Sequence, residues 1–234
     1  MPSSRRTSPV GVALATVALV LSGCGGGGTD TVKLAPDKVI ALAKHNLDTT
    51  KGVHLHLEAG DLPDGDVLVG ADGTLTRAPA FDGTITVRVM GATPQVPVVA
   101  VGGKVYAKLP LTITWQEIDP AQYGVPDPAT LIDPRNGMSH LLTATTGLRS
   151  KGSVRGGKDN KDVLTTYTGT LPASAVASII SSASGTFAVT YTIDAAHRLE
   201  QATMHGRFYG ADQQASTYTV TLDSYGVTKT ITKP

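Results

Sequence analysis

Apolar residues recur along this chain with two different periods. Val39, Ile40, Ala43 and Leu47 follow Pro36-Asp37 at three- and four-residue spacing, and Gly52 comes after the last turn, which predicts an amphipathic helix over residues 36–50. The period then drops to two. Strands are predicted near 53–58, 66–77 and 82–91. In the last of these Ile85, Val87 and Val89 alternate with Thr84, Thr86 and Arg88, the mark of a sheet with one wet and one dry face. Val98 to Leu109 reads as a hairpin around Gly102-Gly103, a pair suited to a two-residue primed turn. Opposing Val101 to Lys104 puts Val98, Ala100, Val105, Ala107 and Leu109 on one wholly apolar side, the expected interior. Val99, Val101, Lys104, Tyr106 and Lys108 take the other side. A short strand through Trp115 follows.

The Pro-rich stretch from Asp119 to Pro134 breaks regular structure, and Met138, Leu141, Leu142 and Thr145 predict a second helix. Strands near 147–157 and 161–170 lead to Pro172, which suits the first turn of a helix with the stripe Val176, Ile179, Ile180 and Ala183. Three strands close the chain: 186–194 with Val189, Tyr191 and Ile193; 199–210 with Met204 and Phe208; and 214–225 with Tyr218, Val220 and Leu222 opposite Thr217, Thr219 and Thr221. The two halves, each an apolar helix plus antiparallel strands, look loosely duplicated. An open sheet of about ten strands curls, and helices over its apolar face make a two-layer α+β domain. From composition alone the plainer reading is that the Val, Ile, Leu and Ala of that face pack the interior at normal density rather than line a hollow.

Residues 1–23 have the form of an export signal: Arg5 and Arg6, an apolar run from Val10 to Leu21, then small residues before Cys24. The run is about a dozen residues long, short of the roughly 20 that a spanning helix needs. Leu21-Ser22-Gly23-Cys24 resembles a bacterial lipobox, so Cys24 is the expected site of acylation. Residues 24–33, opened by Gly25 to Gly28, then serve as a tether, and residues 34–234 are one domain. The expected place of the protein is the outer leaflet of the cytoplasmic membrane, facing the periplasm or cell wall and held there by lipid.

Composition removes several function classes. The chain has 41% apolar and 17% charged residues, normal for a packed domain, and only 5% aromatics. Two of the 20 basic residues, Arg5 and Arg6, lie in the leader; the remainder, 18 basic against 19 acidic residues, has no field to attract phosphate, which argues against nucleic acid. A single cysteine excludes an internal disulfide, a zinc ribbon and an iron–sulfur cluster. No nucleophile elbow, phosphate loop or zinc-helix motif is present. Ser139 and His140 are adjacent and point about 100° apart on a helix, so the pair cannot act as nucleophile and base; they read as outward polar residues. His54 and His56 share one strand face, opposite Val53, Leu55 and Leu57, and read as a solvent face rather than a metal site. Asp61, Asp64, Asp66 and Asp72 miss calcium-loop spacing and read as turn residues. Lys158 to Asp162 reads as a hairpin tip. Tyr106, Trp115 and Tyr123 are candidates for a lip around a ligand, with half-buried packing as the plainer reading. No catalytic residue, metal or cofactor is assigned.

Several segments together resemble the mycobacterial LppX/LprG lipoprotein family, which includes LprA and LprF. They are Leu21 to Cys24, Lys51-Gly52-Val53-His54, Val101 to Leu109, Ile132 to Leu142, and Leu222 to Lys229, in common order over nearly the whole chain. The resemblance implies a half-barrel sheet with helices on its concave side around an apolar cavity. It also implies multi-acyl lipids as cargo, of the triacylated glycolipid, phosphatidylinositol mannoside or triacylglycerol type, moved from the inner membrane toward the outer envelope. A monomer is expected, with an efflux-type membrane transporter as partner. On this reading the cavity wall is Ile85, Val87, Val89, Val98, Ala100, Val105, Val176, Ile180, Val189, Tyr191, Val220 and Leu222, and the helix carrying Leu141 and Leu142 is the gate. Family members usually show Gly-Leu-Ala-Asn-Leu-Leu where this chain has Gly137 to Leu142 with Ser139-His140 at its centre. The competing readings are a filled scaffold module and a lipid hydrolase that uses Ser139.

Overall fold

The helix expected over 36–50 forms as α1 (Pro36–Thr49), with Pro36 in the first turn, where its missing N–H costs nothing, and Asp37 beside the positive end of the helix dipole. Its buried stripe is the predicted one: Val39, Ile40, Ala43 and Leu47. Each of the three larger side chains contributes about 1.5–3 kcal/mol by leaving water. Thr50 then turns the chain into extended backbone; its hydroxyl donates to the Gly52 carbonyl at 2.8 Å and accepts from the Gly226 N–H at 2.9 Å. The computed structural model describes residues 34–234 apart from 124, 158 and 159, so the leader, Cys24 and the tether lie outside the described residues.

Eleven strands follow: β1 (Gly52–Gly60), β2 (Val67–Thr76), β3 (Ala80–Arg88), β4 (Gln95–Val101), β5 (Lys104–Ala107), β6 (Gln116–Ile118), β7 (Thr146–Gly156), β8 (Asp162–Pro172), β9 (Ser184–Ile193), β10 (Leu199–Arg207) and β11 (Ser216–Asp223). They make one antiparallel sheet in the order β6-β5-β4-β3-β2-β1-β11-β10-β9-β8-β7. Two meanders, β1 to β6 and β7 to β11, therefore run outward from a central β1–β11 pair, which gives the two-half pattern a topological meaning. The sheet is open, because β6 and β7 are its two edges and do not pair with each other. Edge strand β7 carries register shifts and positive-φ glycines at Gly147 and Gly152, the bulging that keeps an edge from recruiting further strands.

Between the meanders lie two short 3-10 turns, Pro120–Tyr123 and Pro128–Ile132, and α2 (Met138–Ala144). The helix expected after Pro172 is a correction: α3 (Ala173–Val176) is a single turn. Ser178 donates locally to the Ala175 carbonyl, the kind of bond that competes with helix propagation, and Ser178 and Ser182 also donate to the distant Asn136 and Phe208 carbonyls, which hold the segment from outside. The stripe residues Ile179, Ile180 and Ala183 still pack against the core, from irregular backbone. The short strand placed at Trp115 begins one residue later, at Gln116. Among the described residues no helix is long and apolar enough to cross a membrane.

Candidate functional site

The register places one continuous apolar row across eight strands. Tyr167, Tyr191, Ala202, Val220, Leu57, Ala71, Ile85 and Val96 stand opposite one another from β8 to β4. Directly opposed residues share a face, so all eight point to the same side. A second row runs Leu222, Leu55, Gly73, Gly83, Val98, Ala107, and a third Val53, Leu75, Phe81, Ala100, Val105, Ile118. None of these residues is charged. The opposite face carries threonines 166, 168, 190, 192, 203, 217, 219 and 221 with His54, His56 and Glu58. The alternation read from the sequence is therefore the alternation of the sheet.

The helices cover the apolar face. Val39, Ile40, Ala43 and Leu47 of α1, Leu141 and Leu142 of α2, Val176 of α3, and Ala129 and Ile132 belong to the same buried cluster as the three rows. Of the proposed wall residues, Val98, Ala100, Val105, Val176, Val189, Tyr191, Val220 and Leu222 are buried in that cluster together with Leu141 and Leu142. Ile85, Val87 and Ile180 are partly buried against it. Val89 is the most exposed of the proposed wall residues. It lies one residue past β3 and continues the β3–β4 register by bridging Ala92, so it keeps the side of Ile85 and Val87, but at the turn where Met90 and Gly91 take φ of 50° and 80° it is 38% exposed.

Polar groups inside are few and mostly satisfied. The Tyr191 hydroxyl meets Thr145 Oγ1 at 2.8 Å and the Leu141 carbonyl at 3.5 Å, at the C-terminal end of α2. Burial pushes its phenol up to about 12, against the opposing pull of the Thr145 bond, so it stays neutral in the physiological range. Phe187, Phe208 and Tyr218 stack edge to face with centroids 4.8 Å apart in both pairs. The Tyr218 hydroxyl bonds that of Tyr209 and donates to the Leu68 carbonyl at 2.6 Å; burial drives the Tyr218 phenol far above its ordinary value. Ser184 and Ser216 carry buried hydroxyls that find no hydrogen-bond partner among the described residues.

One polar cluster escaped the sequence reading. Ser139 is buried, not outward. Its hydroxyl donates to Asp48 Oδ1 at 2.5 Å and accepts from Lys44 Nζ at 3.1 Å, while Lys44 also reaches Asp48 Oδ2 at 2.8 Å and the Pro134 carbonyl at 2.7 Å. This ties α2 to α1. Lys44 and Asp48 are one turn apart on α1, a visible signal, but nothing local announces that Ser139 is their third member. The serine's hydrogen-bond partners are the Lys44–Asp48 ion pair rather than the adjacent His140.

The outer face has its own cluster. Asp72 Oδ1 lies 3.3 Å from His54 Nε2 and Asp72 Oδ2 lies 3.0 Å from His56 Nδ1, with Asp223 and Glu58 on the remaining ring nitrogens. Asp72 thus belongs to a strand and not, as its neighbours in sequence suggested, to a turn. The hydrogen bond to Glu58, then that to Asp72, raises the His56 imidazole above its ordinary value. Partial burial pushes the Asp72 carboxyl up, but the bonds and charges of His56 and His54 outweigh it and hold the group below its ordinary value. Among the described residues no set of three His, Cys, Asp or Glu has metal-holding geometry. A depression of about 410 Å³ runs over this face past His56, Glu58, Asp72, Thr84, Thr86 and Gln95. A second, of about 280 Å³, lies between Lys51, Thr76 and Thr228 to Thr230.

The three aromatics considered as a lip differ in burial. Tyr106 is buried on the outer face with the Lys233 ammonium 5.3 Å from its ring centroid, whereas Trp115 and Tyr123 are exposed.

Residues 35–232 match the model of the LppX_LprAFG lipoprotein family. Among solved structures, LprF from Mycobacterium bovis aligns at a TM-score of 0.66 and 16% identity, over 85% of this chain and 96% of that one. LppX from Mycobacterium tuberculosis aligns at 0.60 and 19%, over 84% and 97%. At those identities the likeness is one of fold. No curated protein matches the sequence.

Proposed function

Since the chain belongs to the LppX_LprAFG lipoprotein family, we propose that it is an exported lipoprotein, acylated at Cys24, that holds multi-acyl lipids between its sheet and helices. It carries them from the outer leaflet of the cytoplasmic membrane toward the outer envelope. The observation that supports this most is the uncharged apolar face running without a break across eight strands and closed by separate short helices. In this reading the wall is Ile85, Val87, Val98, Ala100, Val105, Val176, Ile180, Val189, Tyr191, Val220 and Leu222. The gate is α2 with Leu141 and Leu142, whose displacement from the sheet opens the space that acyl chains enter. The cargo is of the triacylated glycolipid, phosphatidylinositol mannoside or triacylglycerol type, and an efflux-type transporter is the membrane partner.

The energetics favour a carrier. A sixteen-carbon acyl chain gains on the order of 12 kcal/mol on leaving water, at about 0.8 kcal/mol per methylene. The membrane it came from supplies much the same, so transfer between membrane and protein is nearly balanced and cargo can be released. Head groups stay at the mouth, met by hydroxyls and backbone groups.

The burial of these side chains in one cluster also suits a scaffold module whose interior is filled. Native mass spectrometry of the protein purified without detergent separates the two readings. The carrier retains acyl lipid of defined mass; protein that is free of lipid, and stays so after incubation with vesicles, is the scaffold.

A further inference from the structure

Two loops at one end of the sheet present large apolar side chains to solvent. β3 and β4 are joined through residues 89–94, and β5 leaves the sheet through 108–115. Val96 stands opposite Ile85, Ala107 stands opposite Val98, and the Lys108 N–H donates to the Pro97 carbonyl at 3.0 Å, so both loops emerge from the same end of neighbouring strands. Met90 is 94% exposed on the first; Leu111 at 106% and Ile113 at 89% are exposed on the second, with Trp115 at its base.

The backbone makes this exposure notable. Leu109-Pro110-Leu111-Thr112 closes with the Thr112 N–H on the Leu109 carbonyl at 3.0 Å, and Leu111 at φ 69° occupies the position of a type II turn where Gly or Asn is favoured. Met90 at φ 50°, before Gly91 at φ 80°, likewise takes a primed-turn position that Asn or Gly fills without strain. At both tips an apolar side chain is held out into water in a conformation that small residues adopt more easily. Packing inside the domain explains neither.

We propose that these loops dock the domain on a lipid bilayer, with Met90, Leu111 and Ile113 entering the acyl region and Trp115 at its border, so that the carrier rests on the membrane with which it exchanges cargo. This rests on the reading of the chain as a membrane-tethered lipid carrier. Three observations point to a bilayer as the occupant. Residues 89–97 and 109–116 contain no charged side chain, which complements an apolar phase. Both tips are narrow turns that project, a shape suited to a fluid surface. The ten Cα-to-Cα steps from Cys24 to Leu34 span at most about 36 Å, about the length of ten-residue β2, so an anchor at Cys24 lets this end reach the same membrane. Asp61, Asp64 and Asp66 lie on the adjacent β1–β2 turn, with Asp66 Oδ1 accepting from the Met90 N–H at 3.1 Å. Attraction to anionic head groups is therefore not the driving force, and insertion is.

Trp115 is the chain's single tryptophan and so reports on this loop alone. Full-length acylated protein in neutral phosphatidylcholine vesicles should show blue-shifted emission, at least halved when the acyl chains are brominated and unchanged by about 0.5 M salt. Replacing Leu111 and Ile113 together by Asp should abolish the quenching without altering the circular dichroism or the unfolding midpoint, since both side chains are exposed. Emission indifferent to brominated lipid, quenching that salt removes, or quenching that survives the double variant overturns the proposal. So does a concentration-dependent dimer that the double variant dissolves in the absence of lipid, which would make the loops a contact between copies. Acyl lipid measured on the same samples keeps the two ideas apart. Loaded protein with unquenched Trp115 defeats docking alone, and docked protein that never acquires lipid defeats the carrier reading alone.

Discussion

The ring of Phe81 lies over Gly73 and Gly83, where a β-carbon would stand 2.6 and 2.8 Å from ring atoms. These glycines interrupt an apolar row because an aromatic ring takes up their side-chain space, a reason no alternation rule contains. Gly73→Ala should therefore destabilise the fold by about 1–3 kcal/mol through overpacking, read as a lower urea midpoint at unchanged slope. An unchanged midpoint would mean that the ring has room to move. His56 gives a pH dependence whose sign is fixed by its partners. Its imidazole, raised by Glu58 first and Asp72 second, binds its proton more tightly folded than unfolded. The resulting stabilisation is full below the unfolded value of about 6.5 and is lost as pH rises through the folded one. The midpoint should fall slightly between about pH 5.5 and pH 8, and His56→Gln should reduce that fall; equal losses in both proteins would refute the assignment. That the two histidines face solvent was legible from Val53, Leu55 and Leu57 between and around them. That Asp72 bridges them required the β1–β2 register.

At the scale of elements, the hairpin around Gly102-Gly103 forms in the register its apolar side demanded, with Val101 opposite Lys104. Val99 and Tyr106 on its outer side are nevertheless buried, because the segment after β11 returns across that face. Val227 sits against Gly52, Lys229 pairs with Asp82 at 2.8 Å, and Lys233 lies over Tyr106. Nothing in the pattern of residues 226–234 marks this strap, since it is held by contacts to β1, β3 and β5 rather than by a period of its own. Deleting residues 229–234 should cost at least about 1–2 kcal/mol, the sum of an exposed ion pair and a cation–π contact, with the re-exposure of Val99 and Tyr106 added to it. It should also enhance tyrosine quenching by acrylamide. A truncated protein as stable as the full chain would leave the strap without a role. The helix after Pro172 failed for a comparable reason: the stripe from Val176 to Ala183 is real, but its serines bond to carbonyls outside the helix.

For the whole molecule, the carrier reading turns on whether the helices leave the sheet when lipid arrives. Ile85 stands next to the β4 end of the longest row and is only partly buried, so Ile85→Trp adds bulk to the proposed wall with little cost to the fold. The variant should take up several-fold less acyl lipid from vesicles than the parent while keeping its circular dichroism. Equal loading would remove Ile85 from the wall. Membership of the lipoprotein family and the open eleven-stranded sheet are secure independently of that result.

Local periodicity by itself determined which residues turn toward the interior, where most strands run and that α1 covers them, because the pleat and the helical turn are written in steps of two and of three or four. Only the tertiary structure decided that Ser139 joins Lys44 and Asp48, that Asp72 serves two histidines, and that two apolar turns stand exposed at one end of the sheet. Each of these depends on residues far apart in the chain, or on a backbone angle, and neither leaves a period to read.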